Sequence, residues 1–400
     1  MTTEAVAKSP PLVMKFGGSA FAELTGYTHV ARYAARLVSE VRRPLAIVVS
    51  AMSGTTGRLQ QALDTLAPDP PAEAAAMLLT TGETVSVALL AAALHAEGVP
   101  AHPVPAVDTG LFSGGRPDRG ELSHTDPTAL RTALDTCPVV VIPGGQAVDA
   151  DGRTVMLGRN SSDLSAVAVA AALGAVTCEL FSDVPGVCTA DPYLVPEART
   201  LRRISYEGVR RMSRHGAKVV HGNAVDWAER AGVRLRCRPF PWDGDGRGGT
   251  VVGVGPEAAA VIVGGNTEVW RFRAASKRRA AAAELRAEGL YVTELDTASG
   301  TYLLVPSGVR SAARHLGAGR RHDDLCPITT VRADGRDDHV LVRRTDAAIQ
   351  ARRCHALLYP DLAAPPGPAR PAAAKARSPH SDVLVGSEPF PAHRNGRASR

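Results

Sequence analysis

The sequence predicts an α/β fold: a three-layer αβα sandwich with a mostly parallel sheet, followed by a smaller α+β region of ferredoxin-like type. Three observations predict it. Strand-like and helix-like patterns alternate from Pro11 to about Pro239, as they do when parallel strands are joined by crossover helices. Val176 to Phe181 reads as a buried strand of a parallel sheet, with Ser182, Asp183 and the Pro185-Gly186 turn at its carboxyl end. The order then changes after the turn-rich stretch PFPWDGDGRGGT, Pro239 to Thr250, beyond which strand follows strand.

The elements follow in order. LVMKF opens the sandwich, then a helix from about Thr28 to Val41, the strand LAIVVSAM, and a helix from Thr56 to Leu66. An Ala-rich helical stretch covers Ala72 to Glu97, broken near Thr80 to Gly82. The segment from Val107 to Asp126, with Gly114, Gly115 and Pro117, reads as variable loop. A helix at Thr128 to Leu134 and a strand at Val139 to Ile142 resume the alternation. Ser162 or Asp163 then caps a helix with its apolar face on Leu164, Val167, Ala168 and Ala171, and Gly174 ends it. SYEGVRRMSRHGAKVVHGNAV gives one helix stopped by Gly216 and a second opened by Lys218. Beyond the turn-rich stretch, strands near Ala259 to Val263, Glu268 to Arg273, Tyr291 to Leu295 and Thr301 to Val305 surround a helix at Ala275 to Glu288. That β-β-α-β-β order makes one small module, and the continuation to about Tyr359 holds a second, poorer copy.

Composition narrows the function classes. A chain of 400 residues, 44% of them hydrophobic, has enough apolar surface for one large or two ordinary domains. No run approaches the ~18 to 20 consecutive apolar residues of a membrane span, and MTTEAVAKSPP lacks a signal peptide's apolar stretch, so a cytoplasmic protein without membrane contact is expected. The net charge is +6, but residues 1–250 carry 24 basic against 25 acidic side chains and residues 251–400 carry 22 against 15. The excess is scattered among Pro, Ala and acidic residues without interleaved aromatics, which argues against a nucleic-acid partner. Six cysteines without CxxC spacing read as free thiols rather than metal ligands or disulfides.

Several polar groups fall where open α/β sheets bind ligands. Lys15, Gly17, Gly18 and Ser19 follow the first strand: glycines admit a phosphate to the backbone and the lysine supplies a cation, although a tight turn beside a surface lysine fits the same residues. Ser50 to Thr56 is a hydroxyl-rich cluster that caps a helix or meets a ligand. Glu83 is a lone carboxylate on an apolar helix, either exposed or suited to an ammonium group. Arg159, Ser162 and Asp163 sit at a helix start, where an anion is attracted, and Ser182 and Asp183 end the next strand. His221 reads as a satisfied helix histidine, since no nucleophile and carboxylate pattern surrounds it.

Taken in order, KFGGS, VVSAMSGTT, LLTTGETVSVALL, LGRNSSD, SDVPGVCTADP, ISYEGV and HGAKVVH resemble aspartate kinase, within the amino-acid kinase superfamily, over about residues 12–240. The resemblance implies the amino-acid kinase fold, ATP and Mg²⁺ as cofactors, and L-aspartate as substrate, phosphorylated on its side-chain carboxylate to 4-phospho-L-aspartate. Lys15 and Asp163 are then catalytic, with Gly17 and Gly18 offering N–H groups to the transferring phosphoryl group. Glu83 and Asp163 match positions near the substrate ammonium, Arg159 the partner of the α-carboxylate, and Thr56 and Ser162 further substrate contacts. Lys15, Gly17, Gly18, Ser19, Ser182, Asp183, Cys188, Tyr193 and Lys218 match the ATP side, and no protein-held metal is expected. The domains implied are a flexible arm at 1–10, a catalytic domain at 11–240, a linker at 241–256, a degenerate ACT-like regulatory or dimerisation region at 257–345, and a disordered tail at 361–400. A homodimer through the C-terminal region follows from the same likeness.

The chain departs from the family pattern at five positions. Asn160 and Ser161 replace the two glycines of GRGGSD, which is expected to narrow the substrate space and restrict φ. Cys188 stands in place of a common Tyr, and Tyr193 in place of a common Arg. Gly222 also stands where HGAKVVH is usually followed by Pro. These departures leave open a kinase for another α-amino acid, and a non-catalytic subunit that binds aspartate or nucleotide.

Overall fold

The first elements are β1 (Leu12–Phe16), a 3-10 turn at Gly18–Phe21, α1 (Thr25–Val41), β2 (Leu45–Val49), α2 (Thr55–Leu66), α3 (Ala72–Leu79) and α4 (Thr81–Ala96). It continues through β3 (Ala101–Pro103), β4 (Leu111–Arg116), β5 (Arg119–Thr125), α5 (Thr128–Thr136), β6 (Val139–Pro143), β7 (Gln146–Val148) and β8 (Thr154–Met156). Then come α6 (Ser162–Ala172), β9 (Thr177–Ser182), β10 (Arg203–Ser205), α7 (Tyr206–Arg214), α8 (Gly222–Ala231), β11 (Arg234–Pro239) and β12 (Thr250–Gly253). This is a computed structural model, and it describes residues 9–67, 69–158, 160–217, 219–241, 248–288, 290–307 and 315–362. The expected arm (1–8 of it), the middle of the expected linker (242–247) and the expected tail from 363 lie outside the described residues.

Eight strands form the main sheet in the order β10-β12-β11-β9-β1-β2-β6-β3. All neighbours run parallel except β12 against β11, so β10 and β12 together make a reversed edge. The expected linker at 241–256 therefore holds a strand of the sandwich. Thr250 secures it there, its Oγ1 donating to Leu201 O (2.6 Å) and accepting from Val187 N–H (2.8 Å).

Side chains alternate along each strand, and the alternation sorts the two faces. Val13, Ala46, Val48, Val140, Ile142, Cys178 and Leu180 pack with α6 and α8. Met14, Phe16, Leu45, Ile47, Val49, Val139, Val141 and Phe181 pack with α1 and α4. Lys15, Ser50 and Ser182 share the parity of Val13, Val48 and Leu180, which directs them to the α6 side.

Two expectations change here. The stretch Ala72–Ala96 has the length and mean hydropathy, 1.6, of a membrane span. Val87, Leu90 and Leu94 pack with Val30, Ala31 and Ala34 of α1, so part of this apolar surface is core, while 39% of its most apolar window is buried. The expected loop at 107–126 is a hairpin, β4 with β5, joined to β7 and β8 in a second four-stranded sheet. Its glycines hid it: Gly115 has φ 90° at the turn, and the register shifts between Phe112 and Ser113.

The remainder comprises β13 (Ala260–Val263), β14 (Thr267–Phe272), α9 (Ala275–Ala287), β15 (Thr293–Thr297), β16 (Gly300–Pro306), β17 (Gly319–Arg321), β18 (Leu325–Val331), β19 (Asp337–Arg343) and α10 (Ala347–Leu358). Here the expected sequential copies give way to nesting. Strand β13 pairs with β18, which pairs with β19, and α10 covers this sheet through Ala347 and Ala351. Between β13 and β18 the chain builds the separate sheet β15-β16-β14-β17, covered by Ala281, Ala282 and Leu285 of α9. One α+β module is thus inserted into another, an arrangement set by long-range pairing that local patterns do not encode.

Candidate active site

The carboxyl ends of β1, β2, β6 and β9 lie side by side, and the first turn of α6 meets them. Lys15 points to α6 by parity, and its Nζ lies 2.8 Å from Asp163 Oδ1, with only 15% and 12% of the two side chains exposed. So little water around an ion pair strengthens its hold on orientation, because neither partner is readily solvated elsewhere. The N-cap of α6 is Ser161, and neither Ser162 nor Asp163 caps the helix as expected. They lie inside its first turn, and their side chains serve the sheet instead. Ser50 Oγ donates to Ser162 Oγ (2.9 Å), and Asp163 Oδ2 accepts from the His221 main-chain N–H (3.2 Å).

Glycines let these parts approach. A Cβ on Gly18 would lie 2.9 Å from Ala51 O, and one on Gly144 would lie 2.6 Å from Ser162 Cβ. Both positions therefore exclude a side chain. The Gly17 N–H donates to Phe181 O (3.2 Å), so it is committed to β9 and is not the phosphoryl donor the sequence suggested. Gly18, first in the 3-10 turn, has an N–H without an intrahelical acceptor. Ser19, in the same turn, is exposed.

Glu83 lies in the first turn of α4, where a Cβ on its neighbour Gly82 would meet Ala51 Cβ at 2.7 Å. Its Oε1 accepts from Ala51 N–H (3.3 Å), while burial pushes its carboxyl up to about 7. A carboxylate so poorly solvated is suited to an ammonium guest. Thr56 is half-buried in the first turn of α2, on the loop that leaves β2.

On the β9 side, Ser182 is half-buried at the strand end and Asp183 is exposed. The Tyr193 hydroxyl donates to Asp183 Oδ2 (3.2 Å), and Tyr193 is itself 69% exposed. Cys188 is buried, its thiol directed to Gly186 O (3.5 Å), so it packs the loop and does not join Ser182 and Asp183 at the surface. Arg159 and Lys218 lie outside the described residues. Among the described residues no three His, Cys, Asp or Glu side chains gather to hold a metal ion.

The loop departures prove compatible with the site. Asn160 has φ 61°, the left-handed conformation that glycine takes freely and asparagine tolerates better than most residues. Ser161 is 1% exposed, and its Oγ donates to Gly158 O (2.6 Å). Its side chain therefore ties the loop back on itself. His221 is not the satisfied helix residue expected: it is the N-cap of α8, which opens after it rather than at Lys218, and its buried Nδ1 has no hydrogen-bond partner among the described residues.

Sequence reasoning missed Ser50, Gly144 and His221 as site residues. Ser50 stood within the hydroxyl cluster, and Gly144-Gly145 ends a buried strand just as Gly17-Gly18 does, so both carried a usable signal. His221 carried none, because its contribution is a backbone one.

An α/β sandwich with a Lys15-Phe16-Gly17-Gly18 turn, a largely buried lysine–aspartate pair and a helix N-terminus at the carboxyl ends of its strands is the arrangement of an anion-binding α/β lobe. The chain belongs to the amino acid kinase family, whose profile matches residues 10–238. It is 41% identical over 227 residues to an aspartokinase of Thermus thermophilus, 57% of this chain and 56% of that protein. Against an aspartokinase of Mycolicibacterium smegmatis it is 38% identical over 230 residues, 57% of this chain and 54% of that one. The matched region thus spans little more than half the length of these curated relatives. In fold, E. coli aspartokinase III in complex with aspartate and ADP superposes with a TM-score of 0.66 at 20% identity, covering 87% of this chain and all of that one. Clostridium acetobutylicum aspartate kinase gives 0.56 at 16% identity, covering 86% and 99%.

Proposed function

We propose that the chain catalyses ATP-dependent phosphorylation of the side-chain carboxylate of L-aspartate, giving 4-phospho-L-aspartate and ADP. The observation that carries this reading is the Lys15–Asp163 pair, held beside the Gly18 turn at the carboxyl ends of the parallel strands. The acceptor carboxylate, with an ordinary pKa of about 3.9, is ionised at neutral pH and needs no general base. Its oxygen attacks the γ-phosphorus as the bond to ADP breaks, so the protein's task is positioning and charge neutralisation.

Lys15 opposes the charge of the transferring group, and Asp163 aims Lys15. Glu83 receives the substrate ammonium, Arg159 pairs with its α-carboxylate, and Thr56 and Ser162 supply hydroxyls. Ser182, Asp183, Tyr193 and Lys218 form the nucleotide side, with Gly17, Gly18 and Ser19 lining the phosphate turn. Mg²⁺ is held chiefly by phosphate oxygens and waters with one or two carboxylates, and Asp183 is an exposed carboxylate at that end. The metal would add charge neutralisation there.

Asn160 fits its backbone and Ser161 ties its own loop, so of the features that favoured a non-catalytic binder, Tyr193 is the exposed one that remains. A cytoplasmic homodimer joined through the C-terminal modules belongs to the same reading.

The deciding experiment incubates purified protein with ATP, Mg²⁺ and hydroxylamine and tests amino acids singly for the acyl hydroxamate. Product with aspartate alone supports the proposal. Product with a different amino acid reassigns the acceptor, and no product at a protein concentration where ATP or aspartate still binds rejects both enzyme readings.

A further inference from the structure

The Lys15–Asp163 pair has a third member. Asp163 presents two oxygens: Oδ1 faces Lys15 Nζ at 2.8 Å, and Oδ2 accepts from the His221 main-chain N–H at 3.2 Å. A carboxylate gripped at one oxygen can still turn about its Cβ–Cγ bond and carry the ammonium group with it. Gripped at both, it cannot. We propose that His221 is a positioning residue for this reaction: its main-chain N–H fixes Asp163, and through Asp163 the direction in which Lys15 meets the transferring phosphoryl group. The proposal rests on the kinase reading above.

The surroundings support a fixed contact. His221 occupies the N-cap of α8 in an extended conformation, φ −60° and ψ 131°, and its own side chain makes no capping bond. The helix is anchored, since Ala224, Val225 and Ala228 are buried in the same cluster as Leu164, Val167 and Ala168 of α6. Both ends of the His221–Asp163 bond are therefore carried on packed helices. Next in the chain is Gly222 at the first helical position, where a proline would have fixed the turn covalently and glycine does not. The hydrogen bond to Asp163 supplies that restraint in this chain. The ring leaves Nδ1 buried without a partner among the described residues, so the side chain has no competing polar attachment there.

The experiment separates the N–H from the ring. His221→Ala keeps the N–H and deletes the imidazole, whereas His221→Pro deletes both at a φ that proline adopts without strain. In the hydroxamate assay, kcat of His221→Pro is expected to fall about tenfold or more below that of His221→Ala, with aspartate KM agreeing within about threefold, because the loss is one of positioning. Equal kcat in the two variants, or a difference confined to KM, overturns the proposal.

A second measurement needs neither turnover nor a folded proline variant. Residue-resolved hydrogen exchange at the His221 amide is expected to be about tenfold faster or more in Asp163→Ala than in the unmodified chain. Unchanged exchange overturns the contact. If the unmodified chain forms no hydroxamate with any amino acid while the amide shows Asp163-dependent protection, the kinase reading fails and the contact stands.

Discussion

Lys15 is one of five lysines among the 46 basic residues of the chain. Arginine serves at most of the others, and in the proposed reaction a compact charge on a flexible stem suits Lys15 to a moving phosphoryl group. Lys15→Ala is expected to lower kcat by about 100-fold or more while leaving aspartate binding within a few-fold, measured by turnover and by calorimetric titration. An unchanged kcat removes Lys15 from the chemistry. Glu83 carries a pH prediction. With its carboxyl raised to about 7, it is largely neutral at pH 6 and ionised at pH 8. Binding of an ammonium group should therefore strengthen as pH rises from 6 to 8, seen as a falling aspartate KM, and Glu83→Gln should weaken binding and flatten that dependence. The stability consequence has the opposite sign. A raised folded-state pKa gives stability that is complete below the unfolded value near 4.5 and lost as pH rises through about 7, so ligand-free Glu83→Gln should melt higher than the unmodified chain at pH 8. Both residues were legible because a charge on an apolar strand or helix is conspicuous. Ser50 and Gly144 were not singled out, since what defines them is contact with Ser162, 112 and 18 positions away in the chain.

At the scale of elements, the loop from Gly158 to Ser162 shows how a changed sequence keeps a backbone. Asn160 takes the left-handed conformation and Ser161 ties the turn to Gly158 O. Asn160→Gly should retain activity within a few-fold, whereas Asn160→Val, with a branched Cβ at φ 61°, should cost about 1 to 2 kcal/mol and raise aspartate KM. Chemical denaturation with parallel kinetics checks both, and a valine variant matching the parent would dismiss the strain. Most helices and strands of the sandwich were legible to within a few residues, because burial on one or two faces imposes a period. Short strands such as β3, β7, β8, β10 and β12 escaped, and so did the β4–β5 hairpin, whose Gly114 and Gly115 contribute no side chains to a pattern. The start of α6 escaped in a different way. Ser162 and Asp163 look like caps in sequence, but Ser50 and Lys15 offered stronger partners.

At the scale of the whole molecule, two clusters of polar contacts help to tie the sandwich to the nested modules. Arg211 of α7 donates to Arg332 O (3.0 Å) and Arg336 O (3.1 Å) and pairs with Asp337, which also meets His215 Nε2 at 2.8 Å. On the other side, Thr189 Oγ1 lies 2.9 Å from His355 Nε2 of α10, and Val261 N–H donates to Thr189 O (2.8 Å). Arg211→Ala would take the buried guanidinium from Asp337, which keeps His215, and should cost about 1 to 3 kcal/mol, read from the denaturant midpoint. A loss below about 0.5 kcal/mol would mean that water replaces the guanidinium there. The family profile matches residues 10–238, whereas the fold likeness to E. coli aspartokinase III covers 87% of the chain and so extends into the modules. Strand positions in that region were legible, but their nesting was not, since β13 and β18 declare no partner locally. That nesting bears on biosynthesis. Residues emerge from a ribosome in order, and β13, already joined to Thr189, must wait with an open edge until the entire inserted module has been made before β18 arrives. For that interval the nascent chain exposes a strand edge beside the loop that carries Thr189, which makes this the stage of synthesis most open to wrong pairing or to capture by a chaperone.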